Sequence, residues 1–225
     1  SGCGPAISLA FDATDRGAVA RAIEEATLAY GGLDELVVTA GLFPTPGADG
    51  RIDDEAFRRT LAVNVLAPAV LVEEFGRLAT DQGLPASAVV TTSVNGVVAK
   101  KGSAAYDASK AAANHLVRSL AVTLAPTVRV NPVAPATVIE GSTMFPRDRV
   151  IASLRKYAIE FDEAMSDAEL VSRLGNFYAE RTLLKATISP RDQAEAIRFL
   201  AGPESARTTG QVLHVDGGLA DAFVR

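Results

Sequence analysis

The chain has 225 residues, 48% of them apolar, and a formal charge of −5. That length suits one α/β domain or two small ones, and the apolar share excludes a disordered chain. Its charges are mixed in sign, with no basic stripe for nucleic acid or an anionic membrane.

No apolar run approaches the ~18 residues of a membrane span, and no basic flank followed by an apolar stretch marks a secretory signal. A single cysteine, Cys3, forms no internal disulfide, so a reducing cytoplasm is expected. His115 and His214 have no ligand-spaced companions, and no metal site is expected.

In chain order, Ala6–Asp12 (AISLAFD) reads as a short apolar strand. The segment 16–31 follows with Val19, Ala22, Ile23, Ala26 and Leu28 at helical spacing, stopping at Gly31-Gly32. DELVVTAG (34–41) is a buried-type strand, and Asp53–Asp81 reads as one long helix with Phe57, Leu61, Val65, Ala69, Val72 and Phe75 on one side. SAVVTTS (87–93) is the next strand, then an Ala-rich helix Ser103–Leu124 and a strand TVRVNPV (127–133). Glu140–Lys185 is an irregular and helical excursion whose polar and aromatic mixture suits a substrate loop or lid more than a second core. A helix over 189–202 and a last strand in GQVLHVDGG (210–218) close the chain.

Continuous apolar strands separated by helices imply a parallel sheet covered on both faces. The expected fold is therefore an α/β, Rossmann-like doubly wound sheet forming one domain over residues 1–225, with 140–185 as an excursion within it.

Within AYDASKA, Tyr106 and Lys110 lie four apart and share a helix face. A phenol is a poor proton donor or acceptor near neutral pH, and a nearby ammonium lowers its pKa by favouring the phenolate. Such a pair can exchange a proton with an alcohol or carbonyl oxygen. By spacing alone, a solvated helix face is the commoner explanation of such a pair. Ser93, thirteen residues upstream, ends a strand, and carboxyl ends of parallel strands are where open α/β sheets place their ligands.

The stretch TTSVNGVVAKKGSAAYDASKAAANHLVRSLA resembles the Ser…Tyr-x-x-x-Lys signature of the short-chain dehydrogenases/reductases. Asp12 in FDATD, Thr39-Ala40-Gly41, Asn64 in LAVNVLAP, VRVNPVAPATV and TGQVLHVDGG fall in the family's order. The resemblance implies Tyr106 as acid/base, Lys110 lowering its pKa and bonding the nicotinamide ribose, Ser93 placing the substrate oxygen, and Asn64 holding a water. It implies NAD or NADP as cofactor, with a slight preference for NAD. Asp12 and Ala13 would lie by the adenine, and Ala40, Gly41, Asn64, Tyr106, Lys110, Pro135 and Val138 along the rest of the cofactor. The substrate would be a small alcohol or aldehyde, and the chain a homo-oligomer packed through its long helices. Segments of the C-terminal half also resemble bifunctional rhamnulose-phosphate aldolase/short-chain dehydrogenase proteins, which implies an upstream aldolase domain, rhamnose breakdown and lactaldehyde as substrate. A non-catalytic fold kept for assembly and a ketoacyl-type reductase stand as alternatives.

Three departures from the family pattern stand out. No strand and glycine-rich turn precede Ala6, so the first two βα units, roughly 50–60 residues, are expected to be absent. Ala6–Asp12 is then expected to be displaced or partnered from elsewhere. Thr39 replaces the usual Asn, and Ala136 replaces a Gly, where a Cβ restricts positive φ.

Overall fold

A computed structural model describes residues 4–44 and 52–223. Cys3 lies outside them.

Four parallel strands form the sheet in the order β1-β2-β3-β4: β1 (Glu35–Val38), β2 (Ala86–Thr91), β3 (Val128–Pro135) and β4 (Leu213–Val215). The register sets Val38 opposite Val90 and Val90 opposite Pro132. Side chains alternate across β2, so its two faces serve different layers. Ala88 and Val90 pack with Val72, Phe75, Val117 and Leu120 of α3 (Ala67–Gln82) and α4 (Ala104–Leu124). Val89 packs with Leu200 of α7 (Pro190–Ala201) on the other face. The doubly covered parallel sheet is thus present, and apolar burial on both faces explains the unbroken valine runs.

Helix α1 (Arg16–Tyr30) starts at Asp15, whose carboxylate accepts from the Gly17 and Ala18 amides, and ends at left-handed Gly31. Arg16 ties it to α3 through Glu73 (2.6 Å) and Glu74 (2.7 Å). The long helix expected over Asp53–Asp81 is interrupted. It runs as α2 (Asp54–Leu61), a π-helical turn (Ala62–Leu66) and α3. The extra residue advances the helix phase by one position, in keeping with the successive steps of four at Phe57, Leu61, Val65 and Ala69, and such turns recur at functional sites.

Residues 140–185 contain two helices, α5 (Arg147–Lys156) and α6 (Asp167–Ala179). They enclose a core of their own, with Ile139, Val150, Leu154, Leu170 and Leu174 buried. The reading of this excursion as better suited to a loop than a second core is corrected here. Tyr157 and Phe177 stack at 4.5 Å, so the aromatic residues build packing rather than a bare loop.

Ala6–Asp12 forms no strand. The Ile7 amide donates to the Tyr30 hydroxyl (2.8 Å), which donates to the Pro5 carbonyl (3.1 Å), while Ile7 and Phe11 remain exposed. Local apolar sequence does not make a strand; a neighbour's amides and carbonyls must be in reach. The structure leaves this segment unpaired with any described strand, and β1 is an edge with Val37 exposed.

Candidate active site

The carboxyl ends of β1, β2 and β3 share one edge of the sheet because the strands are parallel. Ala40 and Gly41 follow β1, Ser93 follows β2, and Pro135 and Val138 lie at and beyond the end of β3. The structure brings Asn64, Ser93, Tyr106 and Lys110 together there.

Asp107 sets the loop between β2 and α4. Its carboxylate accepts from Asn95 Nδ2 (2.6 Å), the Lys100 amide (2.8 Å) and the Ser103 hydroxyl (2.8 and 2.9 Å). An acid in the first turn of a helix is also favoured by the helix dipole. The loop presses onto α4 at Gly96: a Cβ there would fall 2.3 Å from Asn114 Nδ2 and 2.9 Å from the Lys110 carbonyl. Ser93, buried, opens this loop and accepts from the Asn95 amide at 3.1 Å.

Lys110 is buried, and Nζ donates to the Thr91 carbonyl at 3.0 Å, its one hydrogen bond to a described residue. Burial pulls its pKa down to about 8. Nζ lies 5.6 Å from the Tyr106 ring centroid. Tyr106 is half-buried, and burial pushes its phenol above the ordinary value; the nearby Ser93 hydroxyl pulls the other way, and nearby Asp107 adds to the rise. The expectation that Lys110 lowers the phenol is therefore corrected for the free protein. The ammonium is turned to Thr91, and desolvation outweighs every favourable contact at the phenol.

Asn64 stands in the π turn. Nδ2 donates to the Leu42 carbonyl (2.9 Å) and to Ser109 Oγ (2.9 Å), while Oδ1 accepts from the Leu42 amide (2.7 Å). Both donors are used, leaving one acceptor position on the side chain. Ser109, fully buried, donates to the Tyr106 carbonyl at 2.7 Å. A continuous chain of bonds thus runs from the turn after β1, through Asn64, to the backbone of Tyr106. Phe43 packs against the phenol at 4.6 Å between centroids.

Sequence reasoning missed Phe43, Ser109, Asp107 and Asn95. Ser109 and Asp107 carried a faint signal, being polar residues inside an Ala-rich helix between or beside the two recognised positions. Phe43 carried none.

Other expected positions stand apart. Asp12 is exposed; its carboxylate accepts from the Thr14 amide (2.8 Å) and hydroxyl (2.7 Å), and among the described residues no hydrogen bond joins it or Ala13 to the cluster. Thr39 is exposed. Ala136 is not among the residues with positive φ, and its amide bonds Val215, so its Cβ introduces no strain.

A nicotinamide riboside end fits this edge. A buried cation with a single acceptor has donors left for ribose hydroxyls. Any side chain at Gly41 would enter the space beside Lys110 Nζ and Asn64 Oδ1, since a Cβ alone would lie 3.6 and 3.7 Å from them. Among the described residues, no strand with a glycine-rich turn stands before α1 to take a pyrophosphate.

The short chain dehydrogenase profile matches residues 3–148, well over half of the chain. The chain belongs to the short-chain dehydrogenase family. The profile described as enoyl-(acyl carrier protein) reductase matches residues 157–220. An uncharacterized oxidoreductase, YuxG, of Bacillus subtilis is 34% identical over all of this chain, which spans 31% of that protein's length. Short-chain dehydrogenase reductase 3a of Arabidopsis thaliana is 34% identical over 92% of the chain and 73% of its own length. Among solved structures, carveol dehydrogenase from Mycobacterium avium in complex with NAD aligns with a TM-score of 0.82 and 26% identity, over 93% of this chain and 73% of that one. Actinorhodin polyketide ketoreductase with NADPH aligns at 0.74 and 25% identity, over 92% and 75%. The neighbours of this family member therefore bind NAD or NADP. No helix among the described residues is long and apolar enough to cross a membrane.

Proposed function

We propose that this chain is the dehydrogenase portion of an NAD(P)-dependent oxidoreductase that interconverts a hydroxyl and a carbonyl. The observation that carries the reading is the buried Lys110 ammonium beside Tyr106 and Ser93 at the carboxyl edge of the sheet, with one acceptor among the described residues. Lys110, Gly41 and the turn after β1 would hold the nicotinamide riboside. When bound, the cofactor accepts or supplies the hydride.

Tyr106, protonated through neutral pH, gives its proton to the carbonyl oxygen in the reductive direction, while in the oxidative direction its phenolate form takes the hydroxyl proton. Ser93 fixes that oxygen by a second hydrogen bond. Asn64 and Ser109 hold the backbone of Tyr106, and Phe43 covers one side of the phenol from water.

The finer reading places this unit behind a sugar-phosphate aldolase in rhamnose breakdown, with lactaldehyde oxidised as its hydrate. In that reading the Tyr106 phenolate would take a hydroxyl proton of the hydrate, Ser93 would hold the same oxygen, and a bound cofactor would take the hydride, so that the acid leaves. Resemblance of the C-terminal segments supports it, as does a relative matched over the whole chain of which the chain is 31%. We also propose a homo-oligomer, supported by Leu66 in the π turn and Val122 on α4, which are 50% and 82% exposed.

The exposed Leu66 and Val122 would also suit a second reading, a fold kept for assembly. Titration with NADH and NADPH, followed by fluorescence, separates the two. Saturable binding, with oxidation of a small alcohol or aldehyde from a substrate panel, supports the enzyme. A chain that is folded by circular dichroism yet binds neither cofactor supports the assembly role.

A further inference from the structure

Four cations surround the aromatic cluster next to the proposed acid/base: Lys156 Nζ lies 5.5 Å from the Tyr157 centroid, the Arg181 guanidinium carbon 5.6 Å from that of Phe177, which stacks on Tyr157, and Lys100 is tied through its amide to Asp107 beside Tyr106. Arg149, on α5, places its guanidinium carbon 4.5 Å from the centroid of Phe43, the ring that packs on Tyr106, and 5.6 Å from that of Phe145. Arg149 and Arg181 both act on the Tyr178 phenol, which lies 3.3 Å from the Tyr157 hydroxyl. Lys156 and Arg181 are near enough to Lys100 to oppose its charge, and Tyr157 is beside it.

None of the four makes an ion pair or a side-chain hydrogen bond with a described residue. Their neighbours on α5 do: Arg147 pairs with Asp167, and Arg155 with Glu163. Arg149 and Lys156 are seven apart, so they share a helix face. Asp107 is the one carboxylate acting on Lys100, and its oxygens are already taken by Asn95, Ser103 and the Lys100 amide. Like charges gathered without counter-charges are unfavourable unless an anion joins them.

We propose that Arg149, with Lys100, Lys156 and Arg181, binds a phosphate or carboxylate end group of the substrate, a few carbons from the carbon that reacts at Tyr106. The substrate class is then a hydroxy or oxo compound with an anionic terminus, which takes the place of the neutral lactaldehyde of the finer reading, and four cations favour the phosphate dianion. The inference rests on Tyr106 as the acid/base only for which carbon reacts. The anion site stands on the side chains themselves.

The test is calorimetry without cofactor, using glycerol, erythritol and ribitol against glycerol 3-phosphate, erythritol 4-phosphate, ribitol 5-phosphate and ribonate. At least one phosphate should bind about tenfold or more tightly than its parent polyol, as charge-assisted bonds are stronger than neutral ones. Raised salt should weaken that preference, Arg149→Gln should abolish it, and Arg149→Lys should keep part of it, with unfolding temperatures unchanged. A ribonate preference of similar size would name the carboxylate as the terminus. If polyols and phosphates bind alike, or Arg149→Gln leaves the preference intact, the anion site is wrong. Arg149-dependent binding without turnover of any probe would instead remove the redox reading and leave the anion site.

Discussion

Asn64 Nδ2 and Ser109 Oγ, 2.9 Å apart and both buried, join the π turn to the helix that carries Tyr106 and Lys110. The same serine bonds the Tyr106 carbonyl, and the same asparagine clasps both backbone groups of Leu42. The two residues therefore fix the distance between the turn after β1 and the phenol, across two separate layers of the fold.

Ser109→Ala strands a buried amide donor of Asn64, which costs about 1–3 kcal/mol. Its unfolding midpoint in urea should fall accordingly. Turnover should fall more than KM rises, because the phenol is misplaced while the pocket survives. An unchanged turnover number would remove Ser109 from the positioning chain.

Tyr106→Phe deletes one hydroxyl and keeps the ring on Phe43. We predict a loss of about 10²–10⁴ in turnover, the range of a positioned acid/base, with NADH affinity retained. Burial holds the phenol above its usual value of 10, so the reductive rate of the unsubstituted chain should stay level through neutral pH and fall only in strong base. A rate that falls near pH 7 would assign the proton to another group.

Lys110 pays a folding cost for its place. Its pKa is about 8 against 10.5 unfolded, so near neutral pH the buried cation destabilises the fold by about 3 kcal/mol at ~1.4 kcal/mol per unit. The unfolded chain holds that proton up to pH 10.5 while the folded chain releases it near 8, so this penalty shrinks as pH rises through that window. Lys110→Met should therefore be inactive but more stable at pH 7, by roughly 1–3 kcal/mol, and its advantage should narrow towards pH 10. Thermal melts of both proteins across that range decide it; a constant gap contradicts the assignment.

Gly96→Ala puts a Cβ against the Lys110 carbonyl, which is backbone and cannot swing away, and against Asn114 Nδ2. Overpacking of this kind costs about 1–3 kcal/mol. The loop that carries Ser93 must lift from α4, so activity should fall further than stability does. Gly83→Ala serves as control: it has open space around it and strain only from its left-handed φ of 66°.

Much of this was legible in the residues. Unbroken valine runs marked strands buried on both faces, because only a helix-covered parallel sheet hides both sides of a strand. Tyr106 and Lys110 share a face because a helix repeats every 3.6 residues, and Ser93 was placed at a strand end by the same local reading. Three matters belonged to the tertiary structure alone. Whether Ala6–Asp12 pairs depends on a neighbouring strand, which its own composition cannot supply. The direction of the Tyr106 shift depends on how much water burial removes, a sum over Phe43, Ser93 and surrounding backbone far apart in sequence. Arg149 reaches Phe43, the ring that packs on the phenol, only because α5 folds back over it. Periodicity reports what each segment prefers, while desolvation and long-range contact are properties of segments already packed together.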